Sequence, residues 1–382
     1  MKEGLKEFEL NSDHRIEFDR RVGLGVAGGP GHNRWHPDVE PVLRMMPGET
    51  LAVDLWDGLD VQITPASTAT DLLAMDHFRN HAMVGPIFIE GAEPGDLLTV
   101  ELLRIEPDAF GFTFVLPTFG ALGDRFSDPF LVKWRIEANV ARSDDLPGVA
   151  IVGAPFVGLI GVAPSESRLA SLTRRERELK ERRALGGAVM VPQLPDRRSA
   201  VPRGGGPAAD GLRTLPPREI GGNLDVKDFK AGSRITLPVD VPGALCSLGD
   251  PHFAQGDGES NGIAIEMAAT AHLRFALTKA SQVIWRPRNP TFEFEEPAHL
   301  ARRFFSTTGF PVSGDDRNEW MDVYLAAQAA LIEMIDYLTK VRGFTEYQSY
   351  VITSIAVDLR ISEIVDAPNA TVSAVLPLDI FE

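Results

Sequence analysis

The 382-residue sequence predicts a mainly β protein with a smaller α+β portion near its C-terminal end. From residue 41 to residue 165, short apolar runs alternate with turns rich in Gly, Pro and Asp, at a spacing typical of a β-sandwich or barrel. Helical periodicity is clearest in two segments, 166–183 and 320–341. The first follows Ser165, a good N-cap residue, and the second is followed by Gly343, a good C′ residue.

These patterns divide the chain into four regions, which we expect to form one interwoven catalytic unit. Residues 1–165 form an N-terminal β-rich region, and residues 166–215 form a helix followed by a long loop rich in Gly and Pro. Residues 216–300 form a second β region, and residues 301–382 form the C-terminal α+β region. A loop as long as 184–215 is usually mobile or functional, so we expect a lid or a partner contact there.

Composition and charge exclude several classes of partner. The formal net charge is −16 at pH 7, whereas nucleic acids and anionic membrane surfaces bind basic proteins. No apolar run is long enough to cross a bilayer, and the first residues lack the apolar core of a signal peptide. The single cysteine, Cys246, cannot form an intrachain disulfide and suits a reducing compartment. We therefore expect a cytoplasmic protein that binds neither nucleic acid nor membrane.

Residues 249–259 (GDPHFAQGDGE) bring two Asp, one His, one Gln and one Glu together within eleven residues, and they carry the candidate chemistry. They follow an extended, largely apolar run, 235–248. Polar side chains next to a buried strand are costly to desolvate unless they pair, bind a metal or take part in catalysis. A solvated acidic turn is the alternative, but the embedded His252 and Gln255 favour a functional site.

Asn223 and Asp225 form a second polar segment ahead of that run. They are two residues apart, so on extended backbone their side chains point to the same side. Gly221 and Gly222 allow a tight turn directly before them. We predict a second ligand-bearing loop that faces residues 249–259, with an Asx-turn at the start of the next strand as the alternative.

Two histidines in the N-terminal half are candidates for the substrate pocket. His36 belongs to the segment HNRWHPD, in which Pro37 disfavours helix at the preceding residue. A histidine in such a loop is more often hydrogen-bonded structure than a metal ligand. His81 lies just ahead of Gly85 and Pro86, which suits the rim of a site.

Six segments together resemble the acetamidase/formamidase family, hydrolases of short linear amides, and most closely its formamidase branch. They follow the family order over nearly the whole chain: 32–38 (HNRWHPD), 85–96 (GPIFIEGAEPGD), 158–165 (GLIGVAPS), 216–225 (PPREIGGNLD), 249–259 and 364–369 (IVDAPN). The resemblance implies a jelly-roll or β-sandwich-like fold and a homo-oligomer, which we expect to be a dimer or trimer. It also implies a divalent metal near residues 249–259 in at least some relatives.

The chain departs from the formamidase pattern at three places. Phe156 and Val157 stand where the pattern has His-Pro, Val84 stands where it has Ser, and Arg135 stands where it has Asp. These exchanges remove polar groups or reverse a charge. Val84 and Phe156 would form an apolar pocket wall, which suggests an amide bulkier than formamide.

The residue types suggest amide hydrolysis by a metal-activated water. Cys246 lies in an apolar run, where core packing is the expected role, and no serine has an activating motif. Asp225, Asp250 and His252 are the predicted metal ligands. Histidine and carboxylate ligands suit Zn²⁺, and an oxygen-rich Ca²⁺ site is the alternative. The absence of nucleotide-binding motifs argues against an organic cofactor.

Glu259 is the predicted general base, which later protonates the leaving amine. Asn223 and Gln255 are predicted to donate to the oxyanion or the substrate carbonyl, and Asp257 is predicted to be a further ligand or to orient one. Two rival hypotheses stay open: a relative that acts on a bulkier or different amide, and a catalytically silent binding or scaffold protein. The intact polar cluster favours an enzyme, because a scaffold has no reason to keep unpaired buried carboxylates.

Overall fold

Two β-sheets, one large and one small, account for most of the regular structure of the chain. The computed structural model describes residues 12–182, 193–294, 303–309, 311–312, 319–363 and 370–382. Within these ranges strand outweighs helix and a β-sandwich-like description fits, so the predicted mainly β class is confirmed. No helix in the same ranges is both long and apolar enough to cross a membrane.

The large sheet contains fifteen strands among the described residues. In chain order they are β1 (His14–Ile16), β2 (Gly31–His32), β3 (Leu43–Met45), β4 (Thr50–Leu55), β5 (Met83–Ile89), β6 (Leu97–Val115), β7 (Phe130–Glu137), β8 (Val140–Arg142), β9 (Ala150–Val152), β10 (Phe156–Val162), β11 (Gly221–Asn223), β12 (Arg234–Pro238), β13 (Cys246–His252), β14 (Glu266–Thr278) and β15 (Thr291–Glu293). Strand β13 pairs with β5, β10 and β14, so it lies in the interior of the sheet.

The small sheet and the helices complete the described structure. The sheet is antiparallel in the order β16 (Phe304–Gly309), β18 (Thr371–Pro377) and β17 (Asp358–Glu363). The helices are α1 (Leu24–Ala27), α2 (Glu166–Arg182), α3 (Gly205–Asp210), α4 (Val323–Arg342) and α5 (Glu346–Ala356). Helix α4 packs against β16, β18 and α5.

The ends of the C-terminal helices follow from their capping residues. The side chain of Asp322 accepts a hydrogen bond from the Leu325 amide, so α4 begins three residues later than the periodicity predicts. Gly343 takes a left-handed φ of 79° and ends this helix. Thr345 and Gln348 form the predicted capping box of α5.

Strand β13 extends further than the sequence suggests. We expected a loop from residue 249 onward, after the extended apolar run 235–248. Gly249 and Pro251 are also poor strand residues. The structure continues the strand to His252, since Pro251 lies opposite Val157 and His252 opposite Phe156 on β10. Tertiary pairing overrides local propensity here. The segments 183–192 and 364–369, which carry part of the predicted lid and the last family segment, lie outside the described residues.

Helix α5 holds the loop that follows β13. The Gly256 amide donates to the Ser354 carbonyl at 2.8 Å, and the Ser354 hydroxyl donates to the Ile263 carbonyl at 2.9 Å. The hydroxyls of Ser260 and Thr353 are 3.0 Å apart. Residues far apart in sequence therefore fix the segment that carries Glu259.

The charged residues of helix α2 suggest a solvent-exposed helix, but two of them form ion pairs with other parts of the protein. Arg175 forms an ion pair with Glu219 at 2.5 Å, and Glu176 forms one with the buried Arg218 at 2.7 Å. These pairs fix the segment that leads into β11.

The smaller of two buried apolar clusters lies elsewhere, around Phe112 and Phe114 of β6 and Ile263.

Candidate active site

A cavity of about 280 Å³ lies beside the C-terminal end of β13. One side of it is polar, and the residues there are His81, Asn223, Asp225, Asp250, Glu259 and Glu266. They come from distant parts of the sequence, so the fold is needed to bring them together. The exposed residues His77 and Thr118 also line the cavity, which therefore reaches the surface.

His252 lies at the centre of the polar cluster. Its ring is buried, with Nε2 3.3 Å from Oδ1 of Asp250 and 3.2 Å from Oε1 of Glu266. Neither contact has the geometry of a hydrogen bond, so Nε2 has no hydrogen-bond partner. Nδ1 donates to Oε1 of Gln255 at 3.0 Å, which turns Nε2 toward the carboxylates.

Asp225 reaches the cluster from the turn after β11. Its Oδ2 atom accepts a hydrogen bond from Nδ2 of Asn223 at 2.6 Å, and its Oδ1 atom has no partner. Nε2 of Gln255 donates to the Asp225 carbonyl at 2.8 Å, so one glutamine positions both Asp225 and His252. Gly158 on β10 makes room for this carboxylate, because an added Cβ there would lie 2.6 Å from Oδ1.

Three carboxylate residues of the cluster have a left-handed backbone. The φ angles are 47° at Asp225, 53° at Asp250 and 40° at Glu259. Non-glycine residues rarely adopt positive φ, and each such residue costs of order 1–3 kcal/mol. Strain of this kind gathers at functional sites, so the backbone supports the same location as the side chains.

Two groups of three residues hold donor atoms within 4.8 Å of one another, and both groups include His252. One group adds Asp225 and Glu259, and the other adds Asp250 and Glu266. An imidazole nitrogen with carboxylate oxygens is a donor set that suits Zn²⁺. The unpartnered Nε2 of His252 and Oδ1 of Asp225 are atoms that a cation would satisfy, so the residues present fit a divalent metal ion.

Burial and mutual attraction shift the pKa values of this cluster in both directions. Burial raises the pKa of Asp225 and of Glu259 well above the usual carboxyl range, and it raises the pKa of Glu266 to about 7. Burial acts in the opposite direction on His252, but attraction to Glu266 and Asp250 outweighs it and raises the pKa of His252. Although burial opposes it, attraction to His252 holds the pKa of Asp250 below its usual range. The site is short of positive charge.

His81 lines the cavity close to Asp250. Its amide donates to the Thr214 hydroxyl at 2.6 Å, while its buried Nδ1 has no partner. Burial lowers the pKa of His81, so its ring is neutral. Gly58 allows the close approach of this side chain and Asp250, since an added Cβ would lie 2.0 Å from Oδ1 of Asp250.

Val84 and Phe156 do not line this cavity, although the sequence suggested a pocket wall. Both are fully buried. Val84 lies on β5 opposite Leu248, and Phe156 packs edge-on against the His252 ring with 5.0 Å between centroids. Phe156 therefore contacts the site from behind, through His252.

Three other predicted or considered residues also lie apart from the cavity lining. Nδ1 of His36 accepts a hydrogen bond from the Asp38 amide at 3.1 Å, as in a structural loop. Asp257 turns away from the cluster and forms an ion pair with Lys227 at 3.2 Å. Cys246 is buried, and burial raises the pKa of its thiol to about 12, which suits core packing and not a nucleophile.

Sequence reasoning missed several polar residues of the cavity lining, among them Glu266, Asn80 and Gln193. Glu266 stands at the start of β14, within the apolar run 263–269 (IAIEMAA). A lone carboxylate in such a run is costly to bury, and this was the signal in the sequence that could have marked Glu266 as a site residue. Asn80 also lines the cavity, and its buried Oδ1 has no partner. No sequence motif marks Asn80.

Comparison with known proteins identifies the chain as an amidase, an enzyme that hydrolyses amide bonds. It belongs to the acetamidase/formamidase family, whose sequence model matches residues 20–382. The resemblance noted from the six segments is thereby confirmed.

Individual relatives agree in sequence and in fold. An acetamidase of Mycolicibacterium smegmatis is 35% identical over 358 residues, which cover 88% of each chain. A formamidase of Methylophilus methylotrophus is 34% identical over 370 residues, covering 93% of this chain and 90% of the relative. A solved gamma lactamase from Delftia acidovorans has a TM-score of 0.89 at 33% identity, covering 97% of this chain and 93% of its own. A solved acetamidase from Bacillus halodurans has a TM-score of 0.55 at 26% identity, covering 91% of this chain and 95% of its own.

Proposed function

We propose that the chain hydrolyses small primary amides to a carboxylate and ammonia, with water as the nucleophile and a divalent metal ion at the polar side of the cavity. The observation that carries this proposal is a set of buried donor atoms without partners, Nε2 of His252 and Oδ1 of Asp225. An unsatisfied buried polar group costs about 1–3 kcal/mol, so its retention favours a ligand. The left-handed backbone at three carboxylate residues supports the same site.

Asp225, Asp250 and His252 would hold the metal ion, because His252 belongs to both donor groups, with Asp225 in one and Asp250 in the other. Glu266 lies in the group of Asp250 and would add another oxygen. The nitrogen in this set favours Zn²⁺ over Ca²⁺, which prefers about six to eight oxygen ligands. A bound ion supplies a Lewis acid for the amide carbonyl and lowers the pKa of a water molecule that it holds. Gln255 fixes the His252 ring for this purpose, and it is not among the residues that line the cavity.

Glu259 is the proposed general base. It lines the cavity, and one of its oxygens lies within 4.8 Å of donor atoms of Asp225 and His252. From that position it takes a proton from the attacking water and passes it to the leaving nitrogen. Asn223 donates one Nδ2 hydrogen to Asp225, which leaves its second N–H as a donor for the oxyanion and its free Oδ1 as an acceptor for the N–H of the substrate.

Metal analysis together with ammonia release tests this proposal. We expect purified protein to carry a stoichiometric divalent metal and to release ammonia from acetamide. Asp250→Asn and His252→Ala should each lower bound metal and activity together, with the circular dichroism spectrum unchanged. Asp19→Asn, at an exposed aspartate, is the matched control. Ammonia release by metal-free protein would overturn the metal assignment, and full metal content with lost activity would make these residues substrate contacts.

A second candidate is the ring opening of a γ-lactam, a cyclic amide. The solved gamma lactamase shares the fold over nearly the whole chain, which is the observation that favours it. The bond broken is also an amide, but the product keeps its amine and no ammonia is released. Following 2-pyrrolidinone and acetamide side by side distinguishes the two candidates.

The homo-oligomer implied by the family resemblance stays a proposal. Ile284 and Trp285 are adjacent apolar residues with highly exposed side chains, 103% and 69% by relative area. We propose that a contact between subunits would cover them.

A further inference from the structure

We propose that the apolar side of the cavity binds the acyl group of the substrate, and that the preferred substrates are primary amides whose acyl group carries an aromatic or alicyclic ring. This inference rests on the proposed amide hydrolysis and specifies its substrate class. The surface concerned, which we call the acyl wall, consists of Leu59, Phe114, Leu116, Pro117, Phe119 and Ile263.

The size of the cavity supports a substrate with a ring. The cavity measures about 280 Å³. An apolar protein cavity of about 150 Å³ is large enough to hold benzene, so the present one has room for a ring and an amide group together. Formamide or acetamide would leave much of the volume to water in contact with apolar side chains, which is unfavourable.

The chemistry of the acyl wall matches an apolar group. None of its six side chains carries a polar atom, so a hydrocarbon that binds there displaces no protein hydrogen bond. Phe114 stacks on Phe112, with nearly parallel rings and 6.4 Å between centroids. Both rings belong to the smaller buried cluster with Leu59 and Ile263, so the acyl wall continues into packed core. A ring placed on this surface gains apolar and aromatic contacts.

Hydrogen bonds hold the chain just after the acyl-wall residues Leu116, Pro117 and Phe119. The Ala121 amide donates to the Ser260 carbonyl at 2.8 Å, and the Leu122 amide donates to the Tyr350 hydroxyl at 2.8 Å. Ser260 directly follows the proposed base Glu259 in the chain, so the bond from Ala121 links the loop that carries Phe119 to the segment that carries the base. A wall fixed in this way does not collapse around a very small amide, and the space for a ring is preorganised.

A substrate series tests the inference. Ammonia release is measured for formamide, acetamide, isobutyramide, cyclohexanecarboxamide and benzamide. One methylene in an apolar pocket changes kcat/KM by about 10–200-fold, so we expect benzamide or cyclohexanecarboxamide to exceed acetamide by at least about tenfold. A wild-type preference for formamide or acetamide over both ring-bearing amides would overturn the inference.

A pair of leucine variants tests the position of the acyl group. Leu116→Trp narrows the cavity and should lower the ratio of kcat/KM for benzamide to kcat/KM for acetamide at least about tenfold. Leu73→Trp is the matched control, because Leu73 is an exposed leucine outside the cavity lining, and it should leave the order of substrates unchanged. Activity on acetamide also reports whether each variant is folded. An equal loss on every substrate in Leu116→Trp would contradict the assignment.

Direct binding separates this inference from the proposed function. Benzoate and acetate, the products of two of these amides, are titrated into wild type and Leu116→Trp by calorimetry. We expect wild type to bind benzoate more tightly and the variant to lose that difference. If this result were found while no amide released ammonia, the proposed hydrolysis of primary amides would be wrong and the acyl wall would stand. Equal affinities in wild type would overturn the acyl wall alone.

Discussion

The polar residues of the site differ in how many of their atoms are used in structural contacts. Gln255 uses both ends of its amide inside the protein, on His252 and on the Asp225 backbone. Asn223 uses only Nδ2, and His252 forms a hydrogen bond only through Nδ1. The atoms left over are one acceptor on Asn223, one ring nitrogen on His252 and one oxygen on Asp225. Gln255 is therefore a positioning residue, while the other three are the ones equipped to contact a ligand.

The first prediction at the scale of single residues concerns Glu259, the proposed proton acceptor. Glu259→Gln keeps the size and hydrogen-bonding capacity of the side chain but removes its ability to accept a proton. We expect kcat for amide hydrolysis to fall by about two to four orders of magnitude, because general acid–base catalysis contributes about that much. Steady-state ammonia release checks the rate, and circular dichroism checks the fold.

The matched control is Glu137→Gln, which makes the same change at an exposed residue at the end of β7. It should keep wild-type kcat. Bound metal should also be measured in Glu259→Gln, since Glu259 lies in one of the two potential ligand groups. Near-wild-type turnover would exclude Glu259 from proton transfer, and lost metal would make it a ligand instead of a base.

Residues of the site were predictable where they share one short segment. Asp250, His252 and Glu259 stand in a single polar run, which is unusual enough to mark them. Glu266 was missed because it stands alone in an apolar strand and reaches His252 only across the pairing of β13 with β14. The sequence shows that Phe156 stands where the formamidase pattern has His. Only the structure shows that its ring lies behind His252 and outside the cavity lining.

At the scale of elements, the contact between α5 and the two loops beside the cavity depends on one hydroxyl group. The Tyr350 hydroxyl accepts from the Leu122 amide at 2.8 Å and donates to the Ser260 carbonyl at 2.8 Å. Tyr350→Phe leaves a buried N–H and a buried carbonyl without this partner. We expect the free energy of unfolding to fall by about 1–3 kcal/mol, measured by urea denaturation.

Tyr337→Phe is the control for this variant. Tyr337 stacks on Phe305, with 3.7 Å between ring centroids, and its hydroxyl forms no hydrogen bond with the described residues. The control should change stability by less than Tyr350→Phe does. If the two variants lost equal amounts of stability, removal of a tyrosine hydroxyl in general would account for the change, and the two hydrogen bonds of Tyr350 would not.

Elements were easier to predict than the contacts between them. The caps of α4 and α5 are local signals, so their ends could be placed to within a few residues. The ion pairs of Arg175 with Glu219 and of Glu176 with Arg218 join residues more than forty positions apart. Periodicity shows that α2 is charged, but it carries no information about partners at that distance.

At the scale of the whole molecule, buried polar contacts tie the N-terminal segments to the central strand. His32 is an example, because its ring is buried and joins two parts of the chain. Nδ1 donates to the Arg34 carbonyl at 2.7 Å, and Nε2 accepts from the Ser247 hydroxyl of β13 at 2.7 Å. This arrangement requires a neutral ring. Burial lowers the pKa of His32 from 6.5 to about 4.

The last prediction is that this histidine makes the whole fold sensitive to mild acid. Below pH 6.5 the unfolded chain binds a proton at His32 that the folded chain does not, so stability falls as the pH drops from 6.5 toward 4. This difference between the pKa of His32 in the unfolded and the folded chain lowers the free energy of unfolding by about 3 kcal/mol at the acidic end, since each pKa unit is about 1.4 kcal/mol. Urea unfolding of wild type and His32→Gln between pH 8 and about pH 4 measures it. Hydrogen bonds lost in the variant weaken it equally at every pH, so the change in slope alone reports the ionisation of His32. Identical slopes for the two proteins would show that His32 does not contribute to acid sensitivity.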